Sequence, residues 1–157
     1  MRLTGLIATI VLTAGLPALA TDCPKMVKAT AEKAHAGAKM LSCHAEHDDD
    51  VDLYEMKLKT ADGKDLELEI GADGAIIATE ERIAPAKIPA AVTKSIEGKF
   101  GGVSVSESSR VTTAAGEVAY EIAFTSKAHL YSMTVKEDGT IVETEDHDSD
   151  HDTDDEE

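Results

Sequence analysis

The residues of this 157-residue chain whose types and spacing could do chemistry are two cysteines, Cys23 and Cys43, and two clusters that mix imidazole with carboxylate. The first cluster is His44, Glu46, His47, Asp48, Asp49, Asp50 and Asp52, which reads as an acidic loop between two strands. The second is the C-terminal segment 143–157, with ten acids, no base, and His147 and His151. Imidazole nitrogen suits zinc, copper or nickel, and carboxylates also accept calcium. The candidate ligands for a divalent cation are therefore His44, His47, Asp48, Asp49, Asp50, His147, Asp148, Asp150, His151 and Asp152. The same residues have plainer readings: a solvated turn whose charges block edge pairing, and a solubilising tail, disordered by self-repulsion, that could also attract a basic partner.

Sharper motifs fail on inspection. Cys43-His44 resembles the end of a c-type haem attachment site, but Met40 stands where that motif needs its first cysteine. Asp146, Asp148, Asp150 and Glu157 have the spacing of a calcium-binding EF-hand loop, yet His151 occupies the position that requires glycine. Catalysis has no assembled constellation either. His35 and His129 stand alone, the first at a helix boundary and the second beside a turn, so no enzyme activity is expected.

The charge confines the partners. With 15 Lys+Arg against 31 Asp+Glu, the formal charge is -16, which repels nucleic acid and anionic lipid. Ten of those acids lie in 143–157 and five between Glu46 and Asp52, so the remainder is close to neutral. Residues 1–20 read as a signal peptide: Arg2, the apolar run Leu6 to Leu16, then Ala18-Leu19-Ala20 as a cleavage site. The run is too short to span a bilayer and Pro17 ends it, so the mature protein is expected to start near Thr21, without a membrane span, in the periplasm or medium.

A comparison of the chain with itself shows what must position these residues. At a shift of 65, Pro24 falls on Pro89, Val27 on Val92, Gly37 on Gly102, Leu68 on Met133, Ile70 on Val135, Asp73-Gly74 on Asp138-Gly139 and Ile76 on Ile141. Tyr54-Glu55 matches Tyr120-Glu121 at a shift of 66. The order of these matches indicates duplication. In each copy a proline opens a helix, with Ile88, Val92, Ile96 and Phe100 giving a stripe in the second copy and Val27, Ala31 and His35 a weaker one in the first. Glycines end it, and the period changes to two. Tyr54, Met56 and Leu58 alternate with charges, as do Leu66, Leu68 and Ile70 around the Asp62-Gly63 turn. Val118, Tyr120, Ile122 and Phe124, then Tyr131, Met133 and Val135, repeat the pattern around a glycine-free turn near Ser126-Lys127.

The expected fold class is α+β, two tandem α-β-β-β-β units forming an antiparallel sheet with both helices packed on one face. Its expected divisions are a signal peptide at 1–20, repeats at 21–81 and 88–142, a linker at 82–87, and a disordered tail at 143–157. Export makes a disulfide the default for Cys23 and Cys43. A helix from Pro24 to Ala36 rises ~20 Å, and a strand returning after Gly37 brings Cys43 back to the helix start.

The order Pro…Gly-Gly, Tyr-Glu and Asp-Gly-x-Ile resembles the PepSY and PepSY-like family of exported bacterial domains, over residues 88–144 and 24–81. The resemblance implies a small α+β domain outside the cytoplasm and brings no catalytic residues. Relatives occur in propeptides of secreted metallopeptidases, where they restrain the enzyme, and tandem relatives are similar to a β-lactamase-inhibitor protein. It therefore implies a non-enzymatic binding domain with a protein partner such as a peptidase. Divalent-cation binding or buffering through the His/Asp clusters is the alternative.

Overall fold

In the computed structural model, residues 23–48 and 51–148 are described. Helix α1 spans Lys25–Ala34, followed by strands β1 (Lys39–Asp48), β2 (Val51–Lys59), β3 (Asp65–Gly71) and β4 (Ile76–Arg82). A 3-10 turn at Pro85–Lys87 leads into helix α2 (Ala90–Phe100) and strands β5 (Ser104–Thr113), β6 (Val118–Ser126), β7 (His129–Lys136) and β8 (Ile141–Asp146). The strands follow one another in the sheet in chain order. Among the described residues the fold class is thus α+β, with eight strands and two helices. By packing, the described residues up to Arg82 group with Arg110–Val118, and Ile83–Ser109 groups with the described residues from Ala119 onward.

In the first unit α1 is short because Pro24 cannot donate in a helix interior and Gly37, at φ 80°, turns the chain out of it. The proline stands as N-cap, one residue earlier than the first-turn position expected for it. Val27 and Ala31, one turn apart, face the sheet and are buried with Met56, Leu58, Leu66, Leu68 and Ile70. The register explains how these residues meet: Cys43 pairs with Met56 and Met56 with Leu68, all on one face. Cys23 and Cys43 form a disulfide with Cα atoms 5.8 Å apart, which ties the start of α1 to β1. The Thr30 hydroxyl donates to the Gly74 carbonyl at 2.9 Å and holds α1 against the β3–β4 turn.

Two stretches are more regular than their composition suggests. β1 and β2 pair as far as Asp48 with Val51, so His44, Glu46 and Asp52 are strand residues and not a loop. Alternation of the core-face residues Cys43 and Met56 with polar neighbours sustains the ladder, and the charges sit where a strand tolerates them, whereas Leu53 is buried on the opposite face and pairs with Glu46. Likewise β4 continues to Arg82, and Pro85–Lys87, inside the expected linker, forms the 3-10 turn.

In the second unit α2 carries three of the four expected stripe residues, with Ile88 lying before the helix at the end of the 3-10 turn: Val92 and Ile96 are buried, and Phe100 packs edge-on to Phe124 with centroids 5.0 Å apart. Phe100 also meets Tyr131 at 4.5 Å. Gly101, at φ 64°, ends the helix. Phe124, Ile122 and Tyr120 on β6 face α2 together with Tyr131, Met133 and Val135 on β7, as their pairing requires. Ser95 donates to the Gly139 carbonyl at 2.6 Å, the counterpart of the Thr30 contact 65 residues earlier. The β6–β7 connection is a two-residue turn, Lys127-Ala128, with both residues at positive φ (50° and 70°) and no glycine. β8 runs through Glu143, Thr144, Glu145 and Asp146, four residues expected to belong to the disordered tail. Val135 pairs with Ile141 and Met133 with Thr144, so β8 extends a ladder already anchored in the core.

Candidate functional site

The sheet face away from each helix gathers a group of acids. In the first unit the register places Ser42, Lys57, Glu67 and Glu80 in one cross-strand row and His44, Glu55, Glu69 and Ala78 in the next. Each charged residue is there because it alternates with a core residue. Lys57 lies 3.3 Å from Glu55 and 3.4 Å from Glu67, and is half-exposed. One ammonium cannot neutralise the carboxylates around it. Burial first, then the charges of Glu55 and Glu80, push Glu67 up to about 8, with Lys57 pulling the other way. Burial and the neighbouring Glu55 also raise Glu46. Against its own partial burial, Lys57 is held above its ordinary value by Glu67 and Glu55. Glu67 therefore retains a proton at neutral pH, and the face would gain from additional positive charge.

In the second unit the corresponding face carries Glu121, Thr134 and Glu143 in one row and Ala123, Ser132 and Glu145 in the next. Ser132 donates to Glu145 Oε2 at 3.0 Å. Its single proton being so used, His147 Nε2 donates to Ser132 Oγ, also at 3.0 Å. Glu121 is 3% exposed. Burial, then Glu145, raises Glu143 above the usual carboxylate range.

The opposite side of the β7–β8 hairpin holds a different group. His129 Nδ1 lies 3.9 Å from Asp146 Oδ1 and 3.8 Å from Asp148 Oδ2. These three residues offer donor atoms within 4.8 Å of one another.

The predicted ligand residues are thus distributed. His44 stands opposite Glu55, and His47 and Asp48 occupy the end of β1. His147 and Asp148, adjacent in sequence, point to opposite faces: His147 to Ser132 and Asp148 to His129. Asp49, Asp50, Asp150, His151 and Asp152 lie outside the described residues. Sequence reasoning passed over His129, Asp146 and the row around Glu67. Strand alternation could have placed Glu55, Glu67 and Glu80 on one face, but only the register joins His129 to residues 17 and 19 positions later.

No family model and no curated protein matches the chain. Solved structures do. A DUF2874 family protein from Bacteroides uniformis superposes with a TM-score of 0.66 at 15% identity, over 79% of this chain and 89% of its own. A protein from Bacteroides eggerthii named as periplasmic gives 0.66 at 14% identity, over 83% and 93%. A BLIP-like protein from Bacteroides fragilis gives 0.60 at 15% identity, over 83% and 90%. At such identities the likeness establishes a shared fold. Among the described residues no helix is long and apolar enough to cross a membrane.

Proposed function

We propose that this chain is an exported, non-enzymatic binding domain of PepSY-like type that takes a protein partner on the helix-free face of its sheet. The observation that carries the reading is the row Lys57, Glu67 and Glu80 with Glu55 beside it, where Glu67 is pushed up to about 8. A lysine or arginine from a partner would relieve that repulsion and release the retained proton, so the surface selects a basic partner. The BLIP-like and periplasmic fold relatives support a binding role outside the cytoplasm. The family resemblance narrows the partner to a secreted peptidase. The paired contacts Thr30–Gly74 and Ser95–Gly139 support an origin by duplication.

Capture from native periplasmic extract tests this reading. The wild-type chain should retain a partner at low salt, and a Glu55→Gln/Glu80→Gln double variant should lose it. Equal capture by both proteins, or none by the wild type, would reject the assignment.

A second reading, divalent-cation binding or buffering, is favoured by one observation: Asp148 stands 3.8 Å from the His129 imidazole. Zinc, copper, nickel and calcium all remain within this reading. Calorimetry with each ion on the mature chain and on a form ending at Asp148, which keeps β8 whole, tests it, and silence for all four removes it.

A further inference from the structure

The β7–β8 hairpin carries an arrangement that neither a solvated surface nor the acidic face accounts for. Asp146 is the last residue of β8 and Asp148 lies in the turn that follows, and both carboxylates approach the His129 imidazole. Tyr131 pairs with Asp146 across the ladder, and His129, two residues before Tyr131, projects on that same side. The imidazole is stacked along Tyr131 with centroids 6.2 Å apart.

The carboxylates are held in place by other groups. The Leu130 amide donates to Asp148 Oδ2 at 2.7 Å, and the Asp148 amide to Asp146 Oδ1 at 3.1 Å. The Tyr131 hydroxyl is hydrogen-bonded to Asp146, and its ring packs on Phe100 and Phe124 in the core. Orientation of carboxylate ligands by outer hydrogen bonds is what a metal site requires, and here it comes from the ladder and the aromatic core. Ligands ~2.1 Å from a tetrahedral or octahedral ion stand about 3.0–3.5 Å from one another. The observed 3.8 and 3.9 Å close to that range with a small rotation of His129, which is exposed.

We propose that His129, Asp146 and Asp148 form a binding site for a divalent transition metal. His129 ligates through Nδ1 with its proton on Nε2, one oxygen from each aspartate completes three protein ligands, and water fills the remaining positions. One imidazole among the ligands selects zinc, copper or nickel over calcium. The site rests on the cation-binding reading and replaces its diffuse ligand set with one defined centre.

The test is calorimetric titration of zinc chloride into the full mature chain, its tail included, and into the His129→Gln and His151→Gln variants. At the proposed site, His129→Gln weakens the tightest zinc binding at least tenfold, whereas His151→Gln changes it less than twofold. The imidazole nitrogen resonances of His129 shift on zinc addition in the wild type. Thermal unfolding of the metal-free variants verifies that both are folded. Unchanged zinc affinity in His129→Gln overturns the site while leaving cation binding elsewhere intact. No zinc binding by the wild type overturns both. Calcium chloride competing at concentrations equal to zinc would overturn the nitrogen-ligand assignment.

Discussion

Ser95 Oγ donates to the carbonyl of Gly139 at 2.6 Å, fixing the middle of α2 to the turn between β7 and β8. The approach is so close that a Cβ on Gly139 would stand 2.7 Å from Ser95 Oγ and 2.9 Å from the Ala91 carbonyl oxygen. The corresponding Gly74 is less confined: its Cβ would meet Met26 Cγ at 2.8 Å, and Met26 is an exposed side chain that can swing aside. Both glycines have positive φ, 89° and 82°, so alanine costs about 1–2 kcal/mol at either. Gly139→Ala must also push helix backbone away from the turn. It should destabilise by at least about 1 kcal/mol more than Gly74→Ala, read from urea midpoints. Equal losses would show that α2 does not depend on this close approach.

The Cys23–Cys43 disulfide closes a loop of 20 residues around a helix whose buried face has only Val27 and Ala31. In the chain-entropy model such a loop contributes ~3 kcal/mol. Cys23→Ser/Cys43→Ser should lower the urea midpoint accordingly, with protection of α1 amides falling more than that of β6 and β7. A uniform loss of protection would mean that the first unit does not open by itself.

The Lys127-Ala128 turn holds two ordinary residues in the left-handed region, at φ 50° and 70°. Two-residue hairpins of this hand favour Asn-Gly because L side chains are strained there. Ala128→Gly is therefore expected to stabilise the protein by about 1 kcal/mol, unlike most glycine substitutions. A lower melting temperature in the variant would contradict this.

Positions where residue type and period agree were legible in the sequence. The stripe Val92, Ile96 and Phe100, the alternation around Asp62-Gly63, and the Asp-Gly turns all lie where pattern places them. Cys23 and Cys43 were legible too, because helix length and a return strand fix their approach. The errors came where charge outweighed alternation. Composition made residues 44–52 a loop and residues from Glu143 a tail, whereas a strand tolerates charge on its wet face as long as alternate residues are anchored. Cys43, paired with Met56, and Thr144, paired with Met133, supply that anchoring. The Lys127-Ala128 turn carries none of the residue types that announce positive φ. His129 had no local signal, since its partners lie one strand away and are set by a register that no local motif encodes.

Glu67 makes stability depend on pH in the direction opposite to an ordinary salt-bridged acid. Its folded value of about 8 lies above the ordinary 4.5, so between these limits the folded chain keeps a proton that the unfolded chain has released. Stability from this group is complete below about pH 4.5 and is lost as pH rises through about 8. The loss is on the order of a few kcal/mol, shared with Glu55 and Glu80, which repel the same charge. Glu67→Gln keeps the shape and removes the ionisation. The variant should match the wild type near pH 5 and exceed it at pH 8.5, in urea unfolding at both values. Lys57→Met acts in the opposite sense, because it deletes the one cation 3.4 Å from Glu67 and should steepen the decline. If Glu67→Gln followed the wild-type pH curve throughout, Glu67 would be ionised at neutral pH, and the acidic face would have no retained proton to exchange for a basic partner.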